Sequence, residues 1–344
     1  MGRVTINDIA RRAGVSKTAV SFAFNDPGRL SEATLSKILA VAEEMGYTPH
    51  PVARSLSVGR TGVIGVLVPQ DIATMLENPF FTQILRGIGQ VYLEEEGSVL
   101  LAAPIRGSLQ NAVDRAMVDG FIVIGLGAQD PAMKLLQRRG TPFVLIDSEP
   151  LDGIPCVNVD DCAGGRSAMQ HVLDHGHRRI AILGFESGEH GVWQRWRGTM
   201  RWRMEGYSEA LATVGLSPTC PDVRILECEN NLEGGKRAFQ RLWRDASPPT
   251  AVVAMSDVIA LGVLRAARGR GVRVPDQLSI VGYDDVPEAE WAVPSLTTVH
   301  QPGAQKGERA AEFLVRLLSG DPVADHLTLP TRLVVRGSVT APAS

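Results

Sequence analysis

The sequence predicts a small all-helical head carrying a helix-turn-helix, joined by a linker to a larger α/β body of two similar lobes. Three observations predict it. Residues 5 to 46 carry short segments with helical periodicity, punctuated by glycine. Residues 49 to 62 are rich in proline and glycine. From Val63 onward, short apolar runs alternate with helical patterns, as parallel sheets with right-handed crossovers require. At 344 residues the chain is also too long for one ordinary core, since domains typically run to roughly 100–200 residues.

In the head, Thr5 is placed to cap a helix whose apolar residues Ile6, Ile9, Ala10 and Ala13 recur at i, i+3, i+4 and i+7, and Asp8 suits the positive end of the helix dipole. Gly14 supplies a left-handed stop. Ser16 caps a second helix, Lys17 to Phe24. At 100° per residue, Ala19, Val20, Ala23 and Phe24 fall on one half of it, and Lys17, Thr18, Ser21 and Phe22 on the other. One half packs and the other is presented. A third helix begins near Ser31, buries Leu35, Ile38, Leu39, Ala42 and Met45, and ends at Gly46. Two helices joined by a short glycine-containing turn make a helix-turn-helix. Periodicity alone leaves open a three-helix cap with no nucleic-acid role.

Charge is distributed to match. Residues 1 to 60 carry a net +3, whereas the remaining 284 carry −6; a basic head on an acidic body suits a polyanion-binding module. The linker is helix-compatible only over Val52 to Ser57. In the body, "VIGVLV", "VLLAA", "GFIVIG" and "FVLID" form one group of strands, and "RIAILG", "TAVVAMS" and "LSIVGYDD" a second, divided near residue 160. No apolar run approaches the roughly 18 residues of a membrane span. The N-terminus has no apolar leader, and the four cysteines show no C-x-x-C spacing, so reduced thiols in a cytoplasm are expected.

Ligands of open α/β sheets sit beyond the carboxyl ends of strands. Asp147 follows "FVLI", Ser256 and Asp257 follow "AVVAM", and Asp284 follows "SIVGY". For each carboxylate the alternative is a helix N-cap, which is preferred for Asp257. Asn78, Phe81 and Trp291 also fall near strand ends. Residues 191 to 207 hold Trp193, Trp196 and Trp202 with Arg195, Arg197, Arg201 and Arg203. Tryptophan faces suit sugar rings and guanidinium groups suit hydroxyls or anions, although a solvated helix with its tryptophans packed inward accounts for most of these residues equally well. Two motifs mislead. "GLGAQD" lacks the third glycine of a dinucleotide fingerprint, and "HVLDH" imitates a zinc-protease motif with Asp in place of Glu.

The stretches "TINDIARRAGVSKTAVS", "LSEATLSKILAVAEEMGYTPHPVARSL" and "TGVIGVLVP" closely resemble the DNA-binding head of the lactose-repressor (LacI/GalR) family of bacterial transcription regulators, and the resemblance runs to near residue 340. It implies a helix-turn-helix domain over 1–46, a hinge-helix linker over 47–61, and an effector-binding and dimerisation domain over 62–344 of the type I periplasmic-binding-protein, doubly wound kind. Its first lobe would take about 62–160 and 292–321, and its second about 161–291 and 322–344. Lys17, Thr18 and Phe22 match base-reading positions, and Thr5, Ser16, Ser21 and Asn25 match backbone-contacting ones. Leu56 matches the leucine that wedges into the minor groove, flanked by Ala53 and Arg54. Arg203 and "MEGY" match the motif R-x-x-G-[YFW], whose arginine binds the effector. Asp147, Arg203, Ser256 and Asp284 would then clamp vicinal hydroxyls, with Asn78, Phe81, Trp196, Trp202 and Trp291 beside them.

Three departures stand out. Phe22 replaces a frequent Arg and cannot fork onto guanine, which points to a thymine methyl or stacking. His50 replaces Asn, and Ser256 replaces Asn, which argues for a different or larger ligand. The implied function is a transcriptional repressor of carbohydrate-utilisation genes that binds near-palindromic operator DNA as a homodimer in the cytoplasm, controlled by an effector expected to be a sugar. No metal, cofactor or membrane partner is expected, and no enzymatic activity. A transport-type sugar-binding protein would explain the body alone and would carry an export signal. An enzyme would need a cofactor or nucleophile motif that the sequence lacks.

Overall fold

Thr5 opens the first helix by a local cap, its hydroxyl and backbone N–H donating to the Asp8 carboxylate at 2.6 and 3.0 Å. The computed structural model describes residues 4–47, 59–186, 192–323 and 325–343, and the chain divides into two units, residues 1–63 with 117–119 and residues 64–116 with 120–344. In the first unit, α1 (Ile6–Ala13) stops where Gly14 turns left-handed at φ 65°, a conformation glycine adopts without steric penalty. Ser16 then caps α2 (Lys17–Asn25) by accepting from the Ala19 N–H at 3.1 Å. A single 3-10 turn, Pro27–Arg29, leads to α3 (Glu32–Glu44). Ile9, Ala13, Val20, Ile38 and Ala42 form the small core. Leu39, expected inside, is 42% exposed, because Ile38 and Ala42 already fill the inward stripe of α3.

The second unit has two lobes. The first opens with β1 (Val63–Leu67), α4 (Ile72–Glu77), α5 (Pro79–Glu94), β2 (Ser98–Ala102), α6 (Leu109–Arg115), β3 (Gly120–Ile124), α7 (Pro131–Arg139), β4 (Phe143–Ile146) and β5 (Cys156–Val159). The second contains α8 (Asp161–Asp174), β6 (Ile180–Phe185), α9 (Gly198–Ala212), β7 (Val223–Cys228), α10 (Leu232–Leu242), β8 (Ala251–Ala254), α11 (Asp257–Gly269), β9 (Ser279–Asp284), α12 (Pro287–Trp291) and β10 (Thr297–His300). The chain closes with α13 (Gly303–Leu318), β11 (His326–Leu329) and β12 (Arg332–Val334). Among the described residues, one sheet runs β11-β5-β4-β3-β1-β2 and the other β12-β10-β9-β8-β6-β7. Central strands such as β3 and β8 are apolar and buried along their length, as parallel strands covered on both faces must be.

The crossings between lobes fall later than the sequence reading placed them. Residues 297–300 lie in the second sheet, where β10 pairs parallel with β9, so the chain returns to the first lobe at Gln301 and Pro302 rather than near 292. Residues 326–329 lie in the first sheet beside β5, so the last crossing is at Pro330 and Thr331 rather than near 321. A weakly apolar strand next to a crossing carries little periodic signal, which is why both boundaries slipped.

Two glycines set the spacing around the site. A Cβ on Gly87 of α5 would come within 1.9 Å of the Ala304 carbonyl oxygen of α13, so these helices meet backbone to backbone. A Cβ on Gly206 of α9 would meet the Cys162 carbonyl oxygen of α8 at 2.0 Å. The second approach brings Arg203, one turn before Gly206, against the first residue of α8, Asp161.

Candidate functional site

The head presents one half of α2. Lys17 and Thr18 are exposed, Ser21 and Phe22 half-buried, while Val20 and Ala23 are buried on the opposite half. The Asn25 amide donates to Ser21 Oγ at 3.2 Å. Thr5 and Ser16, placed at backbone-contacting positions, use their hydroxyls as local caps, which fixes their direction. The hydrogen bonds from Thr5 hold the Asp8 carboxyl below its ordinary range. Phe22 is not bare, for the guanidinium of Arg29 lies 5.2 Å above its ring. The hinge residues Ala53, Arg54 and Leu56, with His50, lie outside the described residues.

Between the lobes of the second unit lies a cavity of about 470 Å³, within the size range of small-molecule sites. It opens at the carboxyl ends of strands from both sheets, as the doubly wound topology requires. Asn78, Phe81 and Asp147 reach it from the first lobe, and Arg203, Ser256 and Asp284 from the second. Asn78 is 3% exposed and caps α5 by accepting from the Phe80 N–H at 3.1 Å. Ser256 Oγ is buried and makes no hydrogen bond to another described residue. Both aspartates sit on strained backbone, with φ at 53° for Asp147 and 134° for Asp284. Non-glycine residues there cost of order 1–3 kcal/mol each, a cost typically found at ligand clamps.

Arg203 is held from three sides. Its Nε donates to Asp161 Oδ1 at 2.7 Å, an Nη donates to the Met255 carbonyl, and the guanidinium lies 3.7 Å from the centre of the Tyr283 ring. Burial works against its charge, but Asp161, Tyr283 and Asp284 raise its pKa above the ordinary value. Asp161 is pushed upward by burial. Asp284 is raised to about 8 by burial and then by the neighbouring Asp257, and Asp257 to about 6, chiefly by burial.

Several expectations need correcting. Asp257 is not an N-cap: Ser256 occupies that position, and Asp257 begins α11, accepting from Thr298 Oγ1 at 2.6 Å and from the Val286 N–H at 3.0 Å. It ties the start of α11 to strand β10 and to the segment that leads into α12. Trp196 is 3% exposed, packs over Gly184 and donates from its indole N–H to Glu227; it belongs to the core of the second lobe. Neither Trp202 nor Trp291 lines the cavity, and Trp291 is 73% exposed, as is Val293. An indole carries an apolar body with one polar tip, so its sequence neighbours do not reveal which surface it covers.

The sequence reading passed over Asp161, Tyr283, Gln301 and Lys306. Gln301 lines the cavity from within a crossing segment and is 1% exposed, and Lys306 is fully buried behind Asp147. The available signal was a lysine at i+3 in the otherwise small and apolar inward stripe of α13, formed by Gly303, Gly307, Ala310, Ala311 and Leu314. Among the described residues no group of His, Cys, Asp and Glu is arranged to hold a metal ion, and no helix is long and apolar enough to cross a membrane.

Comparison with known proteins adds independent findings. Residues 5–50 match the family "Bacterial regulatory proteins, lacI family", and residues 169–339 match "Periplasmic binding protein-like domain". The HTH-type transcriptional regulator CelR of Thermobifida fusca is 32% identical over 98% of this chain and 98% of its own. A solved complex of CelR with cellobiose is 30% identical, covering 98% of this chain and 100% of its own, with a TM-score of 0.70. The Lac repressor dimer bound to operator and the anti-inducer ONPF is 26% identical over 99% and 100% of the two chains, with a TM-score of 0.81.

Proposed function

Because this chain belongs to the lacI family of bacterial regulatory proteins, we propose that it is a repressor of carbohydrate-utilisation genes whose operator affinity is set by a sugar bound between the lobes. It is a DNA-binding transcriptional regulator and not an enzyme. In this reading it acts in the cytoplasm as a homodimer, and two copies of α2 enter successive major grooves of a near-palindromic duplex. Lys17, Thr18 and Phe22 read base edges, Thr5, Ser16, Ser21 and Asn25 hold phosphates, and Ala53, Arg54 and Leu56 work in the minor groove. The exposed apolar surface at Trp291 and Val293 suits burial against a second copy rather than a role in the cavity.

The observation that supports the effector reading best is the pair of strained aspartates at the ends of β4 and β9, facing one cavity with Arg203. Carboxylates accept and a guanidinium donates in a fork, which suits vicinal hydroxyls. A bound ligand moves the DNA-competent population only by its differential affinity for the open and closed lobes.

A thermal-shift screen of the full chain with cellobiose, ribose, nucleosides and sugar phosphates tests the effector class. A ligand at 100 times its Kd stabilises by about 2.7 kcal/mol, and a screen in which only nucleosides stabilise overturns the sugar reading. Selection from random duplexes tests the DNA reading, which requires two related half-sites and binding that weakens steeply with salt.

A further inference from the structure

Lys306 is 0% exposed, and packing does not explain it. The other inward residues of α13 are small or apolar, and desolvating an ammonium costs several kcal/mol unless its donors are matched. Here they are matched. Nζ lies 2.5 Å from Asp147 Oδ1 and 2.5 Å from Gln301 Oε1, with the face of the Phe80 ring 5.1 Å away. Lysine can only donate, so it fixes the carbonyl end of the Gln301 amide toward itself. The amide nitrogen must then point the other way, and it donates to Asp284 Oδ1 at 2.5 Å.

The result is a continuous chain of bonds from the end of β4 in the first sheet to the end of β9 in the second. It runs through a helix of the first lobe and through Gln301 in a crossing segment. Its two ends are the aspartates that face the cavity.

We propose that Lys306 is a positioning residue of the effector site, which fixes Asp147 and, through Gln301, Asp284, and thereby latches the two lobes together across the base of the cavity. This rests on the reading of the cavity as the effector site, but the latch itself does not depend on which ligand binds. Removing the ammonium frees the Asp147 carboxylate to rotate and leaves the Gln301 amide without its orienting donor. The separation between lobes then broadens.

The test uses full-length protein with Cys162 and Cys220 replaced and spin labels at Gln137 in the first lobe and Gln240 in the second. Without ligand, Lys306→Met is expected to lengthen or broaden the label distance, and Lys306→Arg to stay nearer the parent. Helical content by circular dichroism and a cooperative melting transition of the body verify that the variants fold. With cellobiose as the calorimetric probe, Lys306→Met is expected to weaken binding at least tenfold. In an Asp147→Asn background the same change is expected to add less than threefold, because Lys306 acts through Asp147. An unchanged distance distribution overturns the latch, and independent, multiplying losses overturn the positioning role. If cellobiose does not bind the parent protein, the calorimetric arm uses whichever sugar stabilises it in the thermal-shift screen, and the ligand-free distances still decide the latch.

Discussion

The guanidinium of Arg29 stacks over the ring of Phe22 at 5.2 Å while its Nε pairs with Asp26 at 2.8 Å. At a position where many family members carry Arg, this chain offers an aromatic platform with a guanidinium delivered from the next turn. The two side chains are expected to act as one unit. Phe22→Ala should relax preference at one base position per half-site, at a cost of roughly 1–3 kcal/mol, and Arg29→Ala should relax the same position. Sequencing of duplexes selected by each variant checks this. If Arg29→Ala only flattens the salt dependence, by about 0.9 in slope for one lost phosphate contact, Arg29 is a backbone contact.

Asp147→Asn and Asp284→Asn are the informative cleft variants for regulation. If the effector acts as an inducer, each should reduce release by added effector, measured by titrating a preformed operator complex and compared with the variant's own ligand-free operator affinity. Leu56→Ala should do the reverse, weakening operator binding while calorimetric effector affinity persists.

Arg203→Ala is a different experiment, because it strands Asp161, whose side chain is 0% exposed. Breaking a buried pair from one side typically costs 3–5 kcal/mol, so urea unfolding should show a loss of that size in the body. Arg203→Lys should rescue it only partly, since one ammonium does not reproduce the fork that reaches both Asp161 and the Met255 carbonyl.

Stability should also depend on pH through Asp284. Its folded pKa near 8 lies above the ordinary carboxylate value, so the folded state holds a proton that the unfolded chain releases. This contribution is fully present at low pH and is lost as pH rises toward 8. Asp257, raised to about 6, adds to the same slope at its lower end. Burial lowers the pKa values of His171 and His177, which gives the opposite slope below about pH 6.5, so the melting temperature of the body should fall between about pH 6.5 and 8, and Asp284→Asn should flatten that fall.

Trp196 separates core from cleft. Trp196→Ala should destabilise the body by about 3–5 kcal/mol, as large-to-small core changes do, with calorimetric effector affinity in the remaining folded protein little altered. A selective loss of affinity at full stability would return Trp196 to the cavity wall.

Elements with strong local signals were legible from the residues themselves. Gly14 and Ser16 announce the turn of the head, and Asp147, Ser256 and Asp284 follow apolar runs whose carboxyl ends must face a ligand. What escaped depends on tertiary neighbours. Lys306 acquires its meaning from Asp147, 159 positions away in sequence, and Asp161 from Arg203, 42 positions away. The tryptophans misled because the residue types that would stack on a sugar also fill a core.

The three crossings, at Asp160, at Gln301 with Pro302 and at Pro330 with Thr331, also govern how the chain can be cut. Each lobe is assembled from stretches that are far apart in sequence, so neither can be excised as one contiguous fragment. A chain ended before Gly303 would strip the first lobe of α13 and of its edge strand β11, exposing the α5 face that Gly87 keeps flat against α13. Dissecting this protein into independently expressed lobes therefore calls for circular permutation or a short bridge across a crossing, with each new terminus placed in an exposed loop such as the one between α10 and β8, where residues 244–247 are exposed.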